Sequence, residues 1–165
     1  LLSGKKHWRF ILNHAGLWLA LFAGFVGSAS EQTLRLPVFR DKPNNEAFTS
    51  QGRTVFLDKP FQLKEFAVEH YANGTPRHFF ADIIVDEQVI RLEVNHPYSA
   101  GWGEDYYLTS YDMHSPEPAY CVVQIVREPL KYVMLAGIIM MLVGGFLLFL
   151  EGPKRSDASS AEKQN

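Results

Sequence analysis

The stretches FILNHAGLWLALFAGFVG (residues 10–27) and YVMLAGIIMMLVGGFLLFL (residues 132–150) decide the fold of this 165-residue chain. Each approaches the ~20 apolar residues with which a helix crosses a hydrocarbon core of roughly 30 Å. Neither contains a Lys, Arg, Asp or Glu, and Trp8, Trp18, Lys131 and Tyr132 stand where interfacial anchors are expected. The pattern predicts transmembrane helices over residues 10–27 and 130–150, with a water-facing domain over residues 28–129 between them. A short flank, residues 1–9, and a tail, residues 151–165, complete the chain.

The overall composition conceals this architecture. A mean hydropathy of −0.10, with 47% hydrophobic and 21% charged residues, averages two greasy helices with a polar middle. The net charge of −2 offers no electrostatic footprint for nucleic acid. The tail is rich in Ser, Ala, Lys and Glu without an apolar period and reads as disordered.

A cleaved signal peptide is the competing reading of the first stretch. Lys5, Lys6 and Arg9 form a basic lead-in, and Gly27-Ser28-Ala29 resembles a small-residue cleavage site. The length of the run, and its interruption by Asn13 and His14, favour a retained span. The chain begins at Leu1 rather than at a methionine, which suggests that the N-terminus is trimmed and that earlier helices are missing. Lys5, Lys6 and Arg9 before the first stretch, and Lys154 and Arg155 after the second, place both termini in the cytoplasm by the positive-inside rule. The middle domain is then extracytoplasmic.

Within that domain the periodicity is of strands. Residues 33–39 (TLRLPVF) alternate weakly around Pro37, which suits an edge or entry strand. Residues 40–52, with Pro43-Asn44-Asn45, read as a loop. Residues 54–57 and 61–68 are strand candidates separated by Asp58-Lys59-Pro60, and Asn73-Gly74 marks a turn suited to positive φ. The clearest hairpin follows. Phe79, Ala81, Ile83 and Val85 share one face, as do Ile90, Leu92 and Val94, with Asp86-Glu87-Gln88 joining the two strands. Residues 106–111 and 120–126 bring the set to six or seven strands, with Gly101-Trp102-Gly103 as a turn. No segment of useful length shows helical periodicity. The expected domain is all-β, an antiparallel sandwich or barrel-like sheet.

Few residues advertise chemistry. Cys121 is the lone cysteine, so an intrachain disulfide and C-x-x-C redox chemistry are excluded, and its neighbours Ala119, Val123 and Ile125 suggest a buried, inert thiol. His7, His70, His78, His96 and His114 lack metal-ligand spacing and read as surface or packing histidines. No nucleophile-elbow, zinc-protease or phosphate-loop motif occurs, and Asn73-Gly74-Thr75 is a weak glycosylation match. No catalytic or metal-binding residue is assigned.

His14 differs because it lies about one turn inside the first apolar stretch. Ionisable groups within a span are costly and face a partner helix, a cavity or a ligand. His14, Trp18, Leu21 and Phe25 fall on one helical stripe, an apolar wall beside an imidazole that suits the edge of a haem. A histidine bonded to a neighbouring helix or a headgroup is the other reading. Gly16, Ala20 and Gly24 form a small-residue ridge, which with Asn13 and His14 suggests a partner in the membrane.

The chain resembles the ResB-like (CcsB) family of system II cytochrome c biogenesis. Residues 12–18 (LNHAGLW), 91–101 (RLEVNHPYSAG), 106–112 (YYLTSYD) and Arg127-Glu128-Pro129 carry the resemblance in order, which covers roughly residues 12–153. Family members look like four-helix membrane proteins with a large extracytoplasmic β-domain between the last two helices. Only two helices are present here, so the resemblance implies either that two were trimmed or that this is a minimal variant.

The resemblance implies a multi-pass protein of the bacterial cytoplasmic membrane, working with a CcsA-type partner. The pair would deliver haem b across the membrane and attach it to apocytochrome c. The chain would then be a non-catalytic subunit of a haem-lyase complex, in contact with lipid and without nucleic acid. His14 matches the family's transmembrane histidine by position and is the candidate haem ligand. Rival readings are a two-helix extracytoplasmic sensor or ligand-binding module, and an accessory subunit of a membrane transporter docked through the Gly16/Ala20/Gly24 ridge.

Overall fold

A computed structural model describes residues 7–115 and 117–151. The elements run α1 (Trp8–Ser30), β1 (Gln32–Phe39), β2 (Asn44–Thr49), β3 (Thr54–His70), β4 (Pro76–Val85), β5 (Gln88–Glu93), β6 (Tyr98–Gly101), β7 (Glu104–Tyr111), β8 (Tyr120–Arg127) and α2 (Lys131–Glu151). Two long apolar helices thus flank an antiparallel sheet. Both are long and apolar enough to cross a bilayer. The expected tail at residues 151–165 lies, beyond Glu151, outside the described residues. The chain divides into two compact units, one of residues 1–25 and 132–165, the other of residues 26–131.

In the first unit the helices run antiparallel and meet through small residues. A Cβ added to Gly16 would stand 2.7 Å from the Gly137 carbonyl oxygen, and one added to Gly137 would stand 2.6 Å from the Ala20 nitrogen. Only glycine permits so close an approach of two backbones. Asn13 sits against Gly144 and donates from Nδ2 to the Met141 carbonyl at 2.8 Å. The ridge of Gly16 and Ala20 is therefore filled by the chain's own second helix.

The second unit is one eight-stranded sheet in the order β5-β4-β3-β2-β1-β8-β7-β6. It curls so that strands far apart in the ladder touch: Phe61 of β3 meets Tyr106 of β7 edge-on at 5.3 Å, and Phe66 of β3 meets Tyr111 of β7 at 4.8 Å. A single apolar core fills the concave side, with Leu36, Val38, Ile83, Leu92, Val123 and Ile125 essentially without solvent contact. Of the two expected shapes, the barrel-like one is present.

The hairpin of β4 and β5 forms in the expected register, Ala81 opposite Leu92 and Ile83 opposite Ile90. Its loop is shorter than expected. Gln88 already pairs with Val85, leaving Asp86 and Glu87 at φ of 51° and 65° as a two-residue turn whose left-handed residues match the twist of the strands.

Three strand expectations are corrected. Residues 40–52 are not all loop, because Asn44–Thr49 forms β2. Asn44 and Asn45 obscured it, but their side chains hold the fold. Asn44 donates to the Pro37 carbonyl at 2.8 Å and Asn45 to the Leu57 carbonyl at 3.0 Å. The break expected at Asp58-Lys59-Pro60 is absent, since β3 runs through it. Between the pairs Glu46↔Phe56 and Asn44↔Phe61 the register shifts, so Pro60 lies in a bulge where no ladder amide is needed. Lastly, β1 is the entry strand, as one of its two readings had it, but it lies centrally rather than at an edge. The carbonyl of Pro37 faces Asn44 of β2, so the missing N–H also faces that side, beyond the two positions, Leu34 and Arg35, that pair with β2. Its ladder with β8 runs unbroken from Gln32↔Arg127 to Phe39↔Tyr120.

Candidate functional site

The sequence points to α1. The helix is an unbroken run without proline, closed by Ser30, whose hydroxyl donates to the Val26 and Gly27 carbonyls at 3.2 and 3.0 Å. Consecutive residues on a helix diverge by about 100°, since 3.6 residues make a turn. Asn13 uses its position to face α2, and His14 faces away. The imidazole is exposed and stacks on Phe10 with ring centroids 3.8 Å apart. Its Nδ1 lies 2.9 Å from the Phe10 carbonyl oxygen.

A carbonyl oxygen only accepts, so Nδ1 carries the hydrogen in this contact. In the neutral ring Nε2 then keeps its lone pair for an external acceptor. Histidines that ligate metals are held in this way, with the non-ligating nitrogen donating to a carbonyl or carboxylate. Trp18, Leu21 and Phe25 continue the same face and are 66%, 65% and 83% exposed, while Trp18 stacks on Phe22 at 5.3 Å. The expected stripe of imidazole and apolar side chains is present as one outward surface. Asn13 and His14 themselves point to different sides of the helix.

His14 would offer a nitrogen to a haem iron, and Trp18, Leu21 and Phe25 would offer apolar contact to one side of its ring. They do not enclose it. Helix α2 contributes Leu135, Ile139, Leu142 and Phe146 as exposed apolar side chains but has no histidine.

The β unit carries polar constellations of its own. Glu104 and Arg127 pair across β7 and β8 at 2.6 Å, and the Tyr106 hydroxyl donates to the other Glu104 oxygen at 2.8 Å. Burial, helped by the Glu104 carboxylate, raises the Tyr106 phenol above its usual range. Asp105 is buried, at 5% exposure, and accepts a hydrogen bond from Lys131. That bond holds its carboxyl below the ordinary carboxylate range.

Cys121 is fully buried, and desolvation pushes its thiol up to about 12, as befits an inert side chain. Its expected companion Ala119 is exposed and precedes β8. The scattered histidines stay scattered. His78 stands 3.6 Å from Glu93, His114 stands 3.7 Å from Asp112, and among the described residues no three His, Cys, Asp or Glu side chains converge. His70 and His114 do line one cavity of about 260 Å³ with Phe66, Tyr111 and Met113. No short sequence signal marks that proximity, because it comes from the far ends of β3 and β7.

Two long apolar helices that flank, in sequence, a curled antiparallel sheet define a helix-pair protein with an inserted β module. The chain belongs to the ResB-like family, whose model matches residues 5–120. No curated protein matches the sequence. Among solved structures, a chain described as "Cytochrome c Heme Lyase CcmF" superposes with a TM-score of 0.55 at 13% identity. The superposition covers 90% of this chain and 26% of that one, so this chain spans about a quarter of that protein's length. At that identity the likeness is one of fold.

Proposed function

We propose that this chain is a membrane subunit of a cytochrome c maturation apparatus. With a CcsA-type partner it assists haem delivery across the bacterial cytoplasmic membrane and the covalent attachment of haem to apocytochrome c. Membership of the ResB-like family and a fold shared with part of a cytochrome c haem lyase support the reading. The observation that carries it is the outward Nε2 of His14 at the head of an exposed aromatic stripe.

Haem b, when bound, supplies an iron that takes a histidine nitrogen and a ring that prefers apolar contact. His14 offers the nitrogen, oriented by the Phe10 carbonyl. Trp18, Leu21 and Phe25 exclude lipid headgroups and water from one side. Asn13 fixes the rotation of α1 through Met141. Helix α2 carries no histidine, so any further contacts to a bound haem would be supplied by the partner. Both helices span the membrane, with the basic flanks in the cytoplasm and the sheet module outside, where it positions apocytochrome c. The chain is a non-catalytic contributor to the lyase complex. The transporter-accessory reading loses its main support, since Gly16 and Ala20 already pack on Gly137.

The test is co-purification with a CcsA-type partner, followed by a haem absorption spectrum of wild type and His14→Ala. Loss of bound haem from the variant, restored by added imidazole, is the expected result. Full haem loading by a stable His14→Ala complex overturns the ligand role.

A further inference from the structure

We propose that Trp102 is a rigid interfacial anchor that seats the β unit on the lipid headgroup layer. The proposal rests on the two-span reading above. Trp102 is the first residue of the two-residue loop between β6 and β7, where Gly101 pairs with Glu104. It is 71% exposed, yet its indole Nε1 donates to the Pro129 carbonyl at 3.2 Å. The loop is also tied by its backbone. Gly103, at φ of 67°, accepts a hydrogen bond from the Glu128 N–H at 2.6 Å, and a Cβ there would stand 2.9 Å from the Glu128 carbonyl carbon.

Glu128 and Pro129 lie three and two residues before Lys131, the first residue of α2. Ser30, the last residue of α1, lines the same cavity of about 300 Å³ as Trp102 and Pro129. The loop is therefore fastened where the chain enters and leaves the β unit, within a few residues of each span. A large indole held in one place on a water-facing surface lowers no free energy by itself. At a bilayer interface it buries its apolar body while its N–H stays in a polar layer, the setting in which tryptophan is enriched. Arg127 lines the same cavity, and its aliphatic stem suits the same layer.

The experiment uses the full chain, free of haem, in vesicles of phosphatidylcholine brominated either near the glycerol end or near the methyl end of the acyl chain. One variant, Trp8→Phe/Trp18→Phe, keeps Trp102 as its only tryptophan. A second, Trp8→Phe/Trp102→Phe, keeps Trp18. Loss of most Trp102 emission with the glycerol-end bromines, and little loss with aqueous acrylamide, is the expected result. Quenching of Trp102 by acrylamide and not by either lipid overturns the anchor. Trp18 tells the two failures apart. If lipid bromines quench Trp18 but not Trp102, the spans stand and the anchor falls; if they quench neither, the two-span reading falls with it.

Discussion

Asn13 and His14 are adjacent in sequence but serve opposite sides of α1. The Asn13 carboxamide reaches the Met141 carbonyl at 2.8 Å, whereas the His14 ring lies outward over Phe10 with Nδ1 2.9 Å from that residue's carbonyl. One polar residue locks the helix pair and thereby sets the azimuth of the other.

Replacing Asn13 by Leu removes the lock. Polar contacts between membrane helices contribute about 0.6 kcal/mol each and up to ~1.7, so a modest fall in thermal stability in detergent is expected. Haem loading with a partner falls as well, although His14 is intact, because α1 is free to rotate. Unchanged melting together with unchanged loading would rule this out.

Asp105 gives the β unit an acid-sensitive element. Its pKa is lowered in the folded state, first by the hydrogen bond from Lys131. The stabilisation is thus complete above the unfolded value near 3.9 and disappears as pH falls through the folded value. Asp105→Asn is expected to cost about 2 kcal/mol at neutral pH, less than the ~3–5 of a fully enclosed pair, because the Lys131 side chain is 38% exposed. It should also flatten the acid limb of the unfolding curve below about pH 4. A variant whose acid limb matches wild type would refute the assignment.

Cys121 should resist alkylation in the folded chain at neutral pH and react once denaturant is added. Its thiol is buried and raised to about 12, so the folded state binds its proton more tightly than the unfolded state. Stability therefore declines as pH rises from the unfolded value near 8.5, and Cys121→Ala removes that alkaline slope. Rapid labelling without denaturant would contradict the burial.

The turn between β4 and β5 holds Glu87 at φ of 65° without being glycine. Left-handed backbone costs an ordinary residue roughly 1–2 kcal/mol, so Glu87→Gly should stabilise the β unit by about 1 kcal/mol after the greater flexibility of its unfolded chain is deducted. A melting temperature equal to or below that of wild type would count against the turn assignment.

How far the sequence reveals this molecule depends on which contacts are local. The helices are legible because their apolar runs need no partner to be recognised, and the β4–β5 hairpin because its alternation is short and regular. Strand β2 was hidden because Asn44 and Asn45 mimic a loop, while the bonds that make them structural go to Pro37 and Leu57. Pro37 pointed to an edge, since nothing local shows that its missing donor faces a gap in the β2 ladder. At the site, the stripe from His14 to Phe25 follows from helical spacing. The separation of Asn13 from His14 does not, because it depends on where Gly144 of the second helix lies.

The pairing of β1 with β8 has a consequence for biosynthesis. These strands are the first and last of the sheet, and they lie side by side at its middle. As the polypeptide leaves the ribosome, β1 must wait for its longest ladder until nearly all of residues 26–131 have been made. Such distant pairing is slow to close and leaves sticky edges uncovered in the interval. A chaperone, or the assembly partner itself, would find its natural moment of engagement there.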